Sequence, residues 1–227
     1  DPFANRDPRL KAYILVNGDK MGSTDGVVNS AADSKTTDGL NKENGKSTRT
    51  GYYLRKLLRS DINLNPNSTT KQKHLNARIR STEILLDYAE AANEAQGPKA
   101  NVGGANYSAY DVIKAIRERA GIGEFGEDPY LEECAQSKEK MRELIRNERR
   151  LELCFENHRF WDLRRWKANL NEAAKGINIT TDEATGAFVY KTFEAEERKY
   201  DDYMFYGPIP YSEILKYSNL KQNEGWK

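Results

Sequence analysis

The chain has 227 residues, of which 36 are basic and 35 acidic, so its formal net charge at pH 7 is only +1. Proteins that attract nucleic acid or an anionic membrane through their overall field carry a clear excess of positive charge, so this balance argues against both partners. The length is sufficient for a buried core, and no apolar run in the sequence is as long as a membrane-spanning helix.

Residues 1–80 have the composition of a lead-in made of strands and loops. A β-prone run at residues 12–16 predicts one strand, and residues 50–58 fit either a strand or a short helix. Residues 18–50 are rich in Gly, Asn, Ser, Thr and Asp and poor in large apolar side chains. This composition predicts a long loop, which cannot bury enough surface to form a core element by itself.

Residues 81–121 predict two helices in an antiparallel hairpin. Ser81 or Thr82 can cap the first helix, Gly97 and the proline after it end it, and Ser108 precedes the second. The apolar side predicted for the first helix consists of Ile84, Leu85, Tyr88, Ala92 and Ala95. Small residues on both helices allow a close approach similar to that in one tetratricopeptide-type repeat, and a single repeat would leave an apolar face uncovered.

Residues 137–167, with the sequence SKEKMRELIRNERRLELCFENHRFWDLRRWK, predict a central helix. Ser137 can accept a hydrogen bond as its N-cap, and Glu139 in the first turn favours the positive end of the helix dipole. Apolar residues recur at helical spacings at Met141, Leu144, Ile145, Leu151 and Phe155. This periodicity predicts that one helix face packs against the core.

Charged and aromatic side chains crowd the second half of that segment. One interpretation is a binding face for nucleic acid or acidic ligands, because guanidinium groups pair with anions and stack on aromatic rings. Glu148, Glu152 and Glu156 are four residues apart and could also hold a metal ion or supply a glycosidase acid. Since the glutamates offer partners for most of the arginines, we expect internal ion pairs that lock neighbouring segments and leave no catalytic group.

Residues 122–227 predict a loop-rich subdomain. We expect a helical tail to residue 174, a polar turn at residues 182–186, a β-prone run at residues 188–193 and a last short helix after Pro210. These elements are short, so the subdomain depends on packing against the helices.

The cysteine and histidine residues do not indicate a metal site. Cys134 and Cys154 are separated by more than four predicted helical turns, which is too far for a disulfide bond. His74 and His158 lack the close spacing of zinc ligands. We therefore expect no cofactor, although calcium binding by the Asp- and Asn-rich loops stays an open alternative.

Several ordered blocks of the sequence resemble the SusD/RagB family. They are NRDPRL at residues 5–10, TGYYLRK at 50–56, IRSTEILLDYAEAANEAQG at 79–97, IRERAG at 116–121, IRNERRLELCFENHRFWDLRRW at 145–166, PIPYSEI at 208–214 and NLKQNEGW at 219–226. The resemblance covers nearly the whole chain, with residues 18–47 as a variable loop. It implies a mainly α, SusD-like fold in which a strand- and loop-rich lead-in (1–80) and a tetratricopeptide-type helical hairpin (81–121) precede a loop-rich C-terminal subdomain with a few short strands (122–227).

The resemblance also implies a function. Members of this family are surface lipoproteins of Bacteroides-type bacteria that capture glycans, or occasionally peptides, and cover a TonB-dependent outer-membrane transporter; they are binding proteins and not enzymes. The implied partners are a glycan or oligosaccharide, a SusC-like transporter and the missing N-terminal half of the same protein, because family members are much longer. The implied location is the bacterial outer membrane, with the lipid anchor outside this chain.

Two sets of residues are expected to matter. The family's most recognisable motif, which is held to be structural, matches an ion-pair cluster at Arg149, Glu152, Glu156, Arg159, Asp162 and Arg164, followed by Trp166. Sugar rings need flat aromatic platforms, with amide or charged groups at their hydroxyl edges, and loops present such groups. The candidates are Tyr52, Tyr53, Asn101, Asn106 and Tyr107, and later Tyr200, Tyr203 and Tyr206. A helical-repeat scaffold that binds a protein or peptide partner through its groove is the alternative function.

Overall fold

The computed structural model describes residues 1–21, 26–63, 67–70, 72–73, 75, 77–123 and 126–226. In these ranges helices predominate and strands are short and few, so the mainly α class is confirmed at this level. In chain order the elements are α1 (Arg9–Tyr13), β1 (Ile14–Leu15), β2 (Tyr53–Leu54), α2 (Ser81–Gln96), α3 (Ala109–Arg119), α4 (Pro129–Cys134), α5 (Lys138–Glu152), α6 (His158–Arg165), β3 (Ala174–Thr181), β4 (Phe188–Glu196), a 3-10 helix (Asp202–Phe205) and α7 (Tyr211–Ile214). The tetratricopeptide-type character of the hairpin and the three predicted segment boundaries stay predictions.

Helices α2, α3, α4 and α5 enclose the main hydrophobic core. The start of α3 lies beside the end of α2, where Tyr110 N donates to Pro98 O at 2.8 Å, and the end of α3 lies beside the start of α2, where Arg119 donates to Thr82 Oγ1 at 3.2 Å. The two helices are therefore antiparallel, as predicted. The most deeply buried core residues include Leu86, Ala89, Ala92, Ala109, Ile113, Leu131, Met141, Leu144 and Ile145.

The buried face of α2 matches the predicted one only in part: Ala92 is buried as predicted, but Ile84 and Leu85 are not. Ile84 and Leu85 are 56% and 36% exposed, whereas Leu86 and Ala89 are fully buried. Both faces have helical spacing, so periodicity alone could not choose between them. Contacts of α2 with both α3 and α5 determine which face is buried, because small residues such as Ala89 let the helices approach closely where larger side chains would hold them apart.

The predicted single helix over residues 137–167 is wrong. Helix α5 begins after the predicted N-cap Ser137, whose hydroxyl accepts from Lys140 N, but it ends at Glu152. A turn follows in which Phe155 and Asn157 have φ values of 64° and 67°, in the left-handed region, and α6 then begins. The apolar stripe therefore stops early, and Phe155 is exposed rather than buried.

The main-chain carbonyl of Glu152 explains the end of α5. In a continuing helix this oxygen would accept the N–H of Glu156. It accepts instead from Lys56 Nζ at 2.7 Å and from Arg80 Nη2 at 3.1 Å. These side chains lie 96 and 72 residues earlier in the sequence, so the helix is terminated by tertiary contacts rather than by a local breaker.

The helical tail predicted up to residue 174 is wrong: residues 166–173 are irregular, and a β-hairpin follows them. Strand β3 begins at residue 174 and pairs antiparallel with β4, with Ile177 opposite Thr192. The turn between them lies at the predicted polar segment, where Asp182 N donates to Ala187 O at 2.8 Å. The two cysteines are both free, as expected.

The lead-in packs against this hairpin. The strand predicted at residues 12–16 is reduced to β1, which pairs with β2, because residues 9–13 form α1. The long loop is irregular, as predicted, but it does contribute buried residues: Ala31 packs on Ile177 and Ile179 of β3, and Ala32 N donates to Ile179 O at 2.8 Å. A polar loop can do this because the strand supplies the apolar surface.

Candidate functional site

The buried side of α5 carries a charge network centred on Glu148. This carboxylate is fully buried, and it accepts from Arg117 Nη1 at 2.7 Å and from Arg9 Nη1 at 2.8 Å. Arg117 also binds Asp128, and Arg9 also binds Asp7. Burial opposes the charge of the Arg9 guanidinium, but the bonds to the two carboxylates outweigh burial and raise its pKa. The network therefore ties α1, α3 and α4 to α5.

Glu152 and Glu156 belong to a second part of this network. Glu152 accepts from Arg119, and Glu156 accepts from two nitrogens of the Arg80 guanidinium, Nε at 2.7 Å and Nη2 at 2.8 Å. Lys56 Nζ lies 2.6 Å from Glu156 Oε1. Burial opposes ionisation of Glu156, yet the hydrogen bonds from Arg80 and Lys56 outweigh burial and lower its pKa.

Arg149 joins α5 to α6. Its Nε and Nη2 donate to the two oxygens of Asp162, each at 3.1 Å, and its Nη1 binds Asp87 of α2. In an unbroken helix 13 residues would separate the two partners by about 20 Å. The turn after α5 is what makes this pair possible.

Two members of the predicted ion-pair cluster lie outside the network. Within the described ranges neither Arg159 nor Arg164 has a carboxylate oxygen within 4 Å, whereas Arg149, Glu152, Glu156 and Asp162 all form ion pairs. The two arginines line a cavity beside α6 together with Phe160 and Tyr200.

Glu148, Glu152 and Glu156 do not form a metal site in the described part of the chain. All three accept hydrogen bonds from Arg or Lys side chains, and no group of three potential ligands gathers in the described part of the chain. His74 lies outside the described residues, and His158 Nδ1 lies 3.5 Å from Glu83. In the same ranges no helix is long and apolar enough to cross a bilayer.

The sugar-binding candidates before α2 hold the lead-in together. Tyr52 packs edge-on against Phe3, with 6.3 Å between ring centroids, in the cluster beneath β3. The Tyr53 hydroxyl donates to Asp38 O at 2.9 Å and accepts from Thr48 N at 3.0 Å. Both tyrosines are thus engaged in packing or bonding within the chain.

The candidates after α2 lie far from the first pair. Asn101, Asn106 and Tyr107 are exposed in the loop that follows the C-terminus of α2, and Tyr107 stacks edge-on against Tyr88 at 4.9 Å. The lead-in contacts the other end of α2 through Arg80, and a helix of 16 residues is about 24 Å long. The structure therefore does not bring the two sets together.

A set of neighbouring cavities lies beside α6. Three adjoining cavities of about 590, 510 and 350 Å³ lie between α6 and residues 167–175 on one side and residues 196–206 on the other. The first two share Leu170 and Tyr200, and the last two share Arg159, Leu163 and Arg198. We call this surface the α6 groove.

Aromatic rings and amides line the α6 groove. Phe160 and Tyr206 are 51% and 67% exposed, and the Arg164 guanidinium covers one face of the Phe160 ring. The side chain of Asn171 donates to Tyr200 O at 2.9 Å and accepts from Tyr200 N at 2.6 Å, which fixes this aromatic residue between two of the cavities. The predicted Tyr203 does not line them and packs instead on Trp226 at 5.0 Å.

Arg164 packs against two aromatic rings of the groove. The Arg164 guanidinium lies over the Phe160 ring at 3.4 Å from its centroid and over the Tyr200 ring at 5.3 Å, and its Nη1 donates to Phe160 O. Within the described ranges the Tyr200 hydroxyl oxygen is buried and has no hydrogen-bond partner. A buried polar atom without a partner is rare in folded proteins.

Sequence reasoning identified only part of this groove. Tyr200 and Tyr206 were candidates, but Phe160, Asn169 and Asn171 were not. The sequence signal that could have indicated Phe160 is an aromatic residue that stands beside several arginines. No local signal could show that α6 faces a segment about 40 positions later, because that contact depends on the β3–β4 hairpin between them.

Comparison with known proteins now decides the family. The sequence profile described as the SusD family matches residues 1–226. The chain belongs to the SusD family. SusD-like protein P2 of Formosa agariphila is 30% identical over 145 residues, which are 64% of this chain and 24% of that protein.

A solved structure agrees with this assignment. A SusD-like protein from Bacteroides fragilis superposes with a TM-score of 0.72 at 28% identity, and the match covers 99% of this chain and 39% of that one. This SusD-family chain therefore spans well under half the length of the relatives that it matches.

Proposed function

We propose that the chain is part of a binding protein that captures glycans at the bacterial cell surface and delivers them to a TonB-dependent outer-membrane transporter of the SusC type. The observation that carries the proposal is the α6 groove of a SusD-family chain, in which exposed rings lie beside guanidinium and amide groups. In this proposal the protein is an outer-membrane lipoprotein, acts as the lid of the transporter and needs no cofactor.

The chemistry of the groove suits sugar rings. The apolar face of a pyranose packs on an aromatic ring, and its hydroxyl groups exchange hydrogen bonds with amides and guanidinium groups at the ring edge. Phe160 and Tyr206 supply the rings, Asn169 the amide and Arg164 the guanidinium.

A binding role is favoured over catalysis by the state of the acidic groups. Hydrolysis of a glycosidic bond needs two carboxyl groups on opposite sides of the scissile bond, one of them protonated at working pH. The buried carboxylates described above are bound by arginine or lysine, and the pKa of Glu156 is lowered rather than raised. A lowered pKa makes a carboxylate a poor proton donor near neutral pH.

Calorimetry tests the proposal. The 227-residue chain is titrated with a panel of neutral and acidic oligosaccharides from plant, algal and host polysaccharides, and Phe160→Ala is compared with Tyr217→Ala. Tyr217 is a matched control because it is also exposed, at 66%, but does not line the groove. Loss of a stacking ring should weaken binding roughly fivefold or more, and the control should not. If no oligosaccharide binds, or both variants behave alike, the proposal fails.

A scaffold for a protein partner is the second candidate function, and exposed apolar side chains near the start of α2 favour it. Ile79 and Ile84 are 71% and 56% exposed, and Leu85 lies beside them on the helix. A face of this kind is usually covered by another protein surface. A chain that is monodisperse and monomeric, with no fluorescence increase from a hydrophobic dye, would contradict this candidate, whereas a stable protein complex without glycan binding would favour it over the first.

A further inference from the structure

One end of the α6 groove is strongly basic. Arg150, Arg159, Lys175 and Arg198 line its 350 Å³ cavity together with a single acidic residue, Glu172. The adjoining 510 Å³ cavity adds Arg164 and Lys199 against Glu196 and Glu197. Six basic and three acidic side chains thus meet in two cavities of a chain whose formal net charge is only +1.

The basic side chains of this end lack the partners found elsewhere. In the part of the chain that the structure describes, none of Arg150, Arg159, Lys175 and Arg198 has a carboxylate oxygen within 4 Å, whereas the arginines beneath α5 are nearly all paired. Burial, and next the charge of Arg150, lower the pKa of the Arg159 guanidinium. Like charges held together without an anion repel one another, and a bound anion would remove that repulsion.

We propose that this basic end, formed by Arg150, Arg159, Lys175 and Arg198, binds the carboxylate or sulfate groups of an acidic oligosaccharide whose sugar rings lie on Phe160 and Tyr200. The proposal rests on the glycan-binding function proposed above and adds the class of glycan. Guanidinium groups bind carboxylate and sulfate oxygens through paired N–H donors, which gives both affinity and orientation.

The arrangement of charges favours an acidic saccharide over nucleic acid. Glu172, Glu196 and Glu197 interrupt the basic surface, and they would repel a polymer that carries a phosphate at every residue. An oligosaccharide places its anionic groups farther apart and offers ring faces to the aromatic side chains next to them. The basic end and the aromatic residues share Arg159 and Leu163 as a common wall, so one ligand can reach both.

The test compares pairs of ligands that differ only in charge. The 227-residue chain is titrated calorimetrically with oligogalacturonate and its methyl ester, with a sulfated oligosaccharide and its desulfated form, and with inorganic sulfate, each at low and at moderate salt. The variants are Arg159→Gln and the double variant Lys175→Gln/Arg198→Gln, whose two side chains are exposed and can be changed without disturbing the core. Arg78→Gln is the control, because Arg78 is exposed and lines neither cavity.

We expect at least one anionic ligand to bind more tightly than its neutral form, with an advantage that decreases as salt rises. Arg159→Gln and the double variant should each remove about tenfold or more of the affinity for the anionic form, with no effect on the neutral form or from Arg78→Gln. The more tightly bound of the two anionic ligands identifies the group as carboxylate or sulfate.

Failure of this inference can be distinguished from failure of the proposed function. If neutral and anionic forms bind equally, or if only Arg159→Gln has an effect and it also lowers thermal stability, the inference is wrong while glycan capture stands. If inorganic sulfate binds but no saccharide does, or if nothing binds, both the inference and the glycan-binding function are wrong.

Discussion

Substitution of Glu148 by Gln tests whether the buried ion pairs hold the helices together. The change removes one charge at nearly constant volume. Glu148 is fully buried and lies 2.7 and 2.8 Å from guanidinium nitrogens of Arg117 and Arg9, whose side chains are themselves only 9% and 6% exposed. Removing one partner of a buried pair costs about 3–5 kcal/mol, because the remaining charge stays desolvated without compensation. For a chain of this size that loss lowers the thermal midpoint by roughly 6–20 °C.

The control substitution is Glu143→Gln in the same helix. Glu143 pairs with Arg146 at 3.4 Å, but its side chain is 72% exposed, so the same chemical change should cost less than about 1 kcal/mol. Urea denaturation followed by circular dichroism measures both free energies of unfolding, and an unchanged m-value ensures that the comparison is valid. If the two variants differ by less than about 1 kcal/mol, the charge network does not contribute to stability in the way proposed here.

Three further predictions concern pH, a close backbone contact and a helix cap. The folded pKa of Glu156 lies below its ordinary value of 4.5, so the stability that its charge contributes is complete above that pH and is lost as pH falls through the folded pKa. In an acid denaturation series, the stability difference between the wild type and Glu156→Gln should therefore shrink below about pH 4.5. In thermal melts, Gly51→Ala should destabilise the chain by more than Gly104→Ala. Both glycines have a positive φ, which costs about 1–2 kcal/mol for alanine, but only at Gly51 would the new methyl group collide with the carbonyl of Ile177. Ser108→Ala removes the capping box of α3 and should cost about 1 kcal/mol in urea denaturation, and an unchanged free energy of unfolding would contradict it.

Local signals predicted where several elements begin and end, although the predicted cap of α2 is wrong: its N-cap is Arg80, not Ser81 or Thr82, and no side chain caps it. Ser108 and Ser137 cap α3 and α5 as expected, because a hydroxyl that bonds the first free N–H groups needs only the next three residues. Gly97 ends α2 for a similar reason, since its φ of 89° is readily available only to glycine. The polar turn at residues 182–186 was found in the same way.

Choices between equivalent local patterns could not be predicted. Two faces of α2 have helical spacing, and the neighbouring helices select the one with Leu86 rather than the one with Ile84. The α6 groove likewise depends on the β3–β4 hairpin, which returns Tyr200 to α6. None of these outcomes is encoded within a window of ten or fifteen residues.

The sequence by itself determined the mainly α class, the N-caps of α3 and α5, the family and the expectation that the acids of α5 pair with arginines, because these follow from composition, short-range hydrogen bonding and motif order. Only the tertiary structure decided that the helix stops at Glu152, since the side chains of Lys56 and Arg80 take the carbonyl that the next turn would need. Because the helix ends there, α6 folds back towards α5 and Asp162 can pair with Arg149. Arg159 and Arg164 then line the groove.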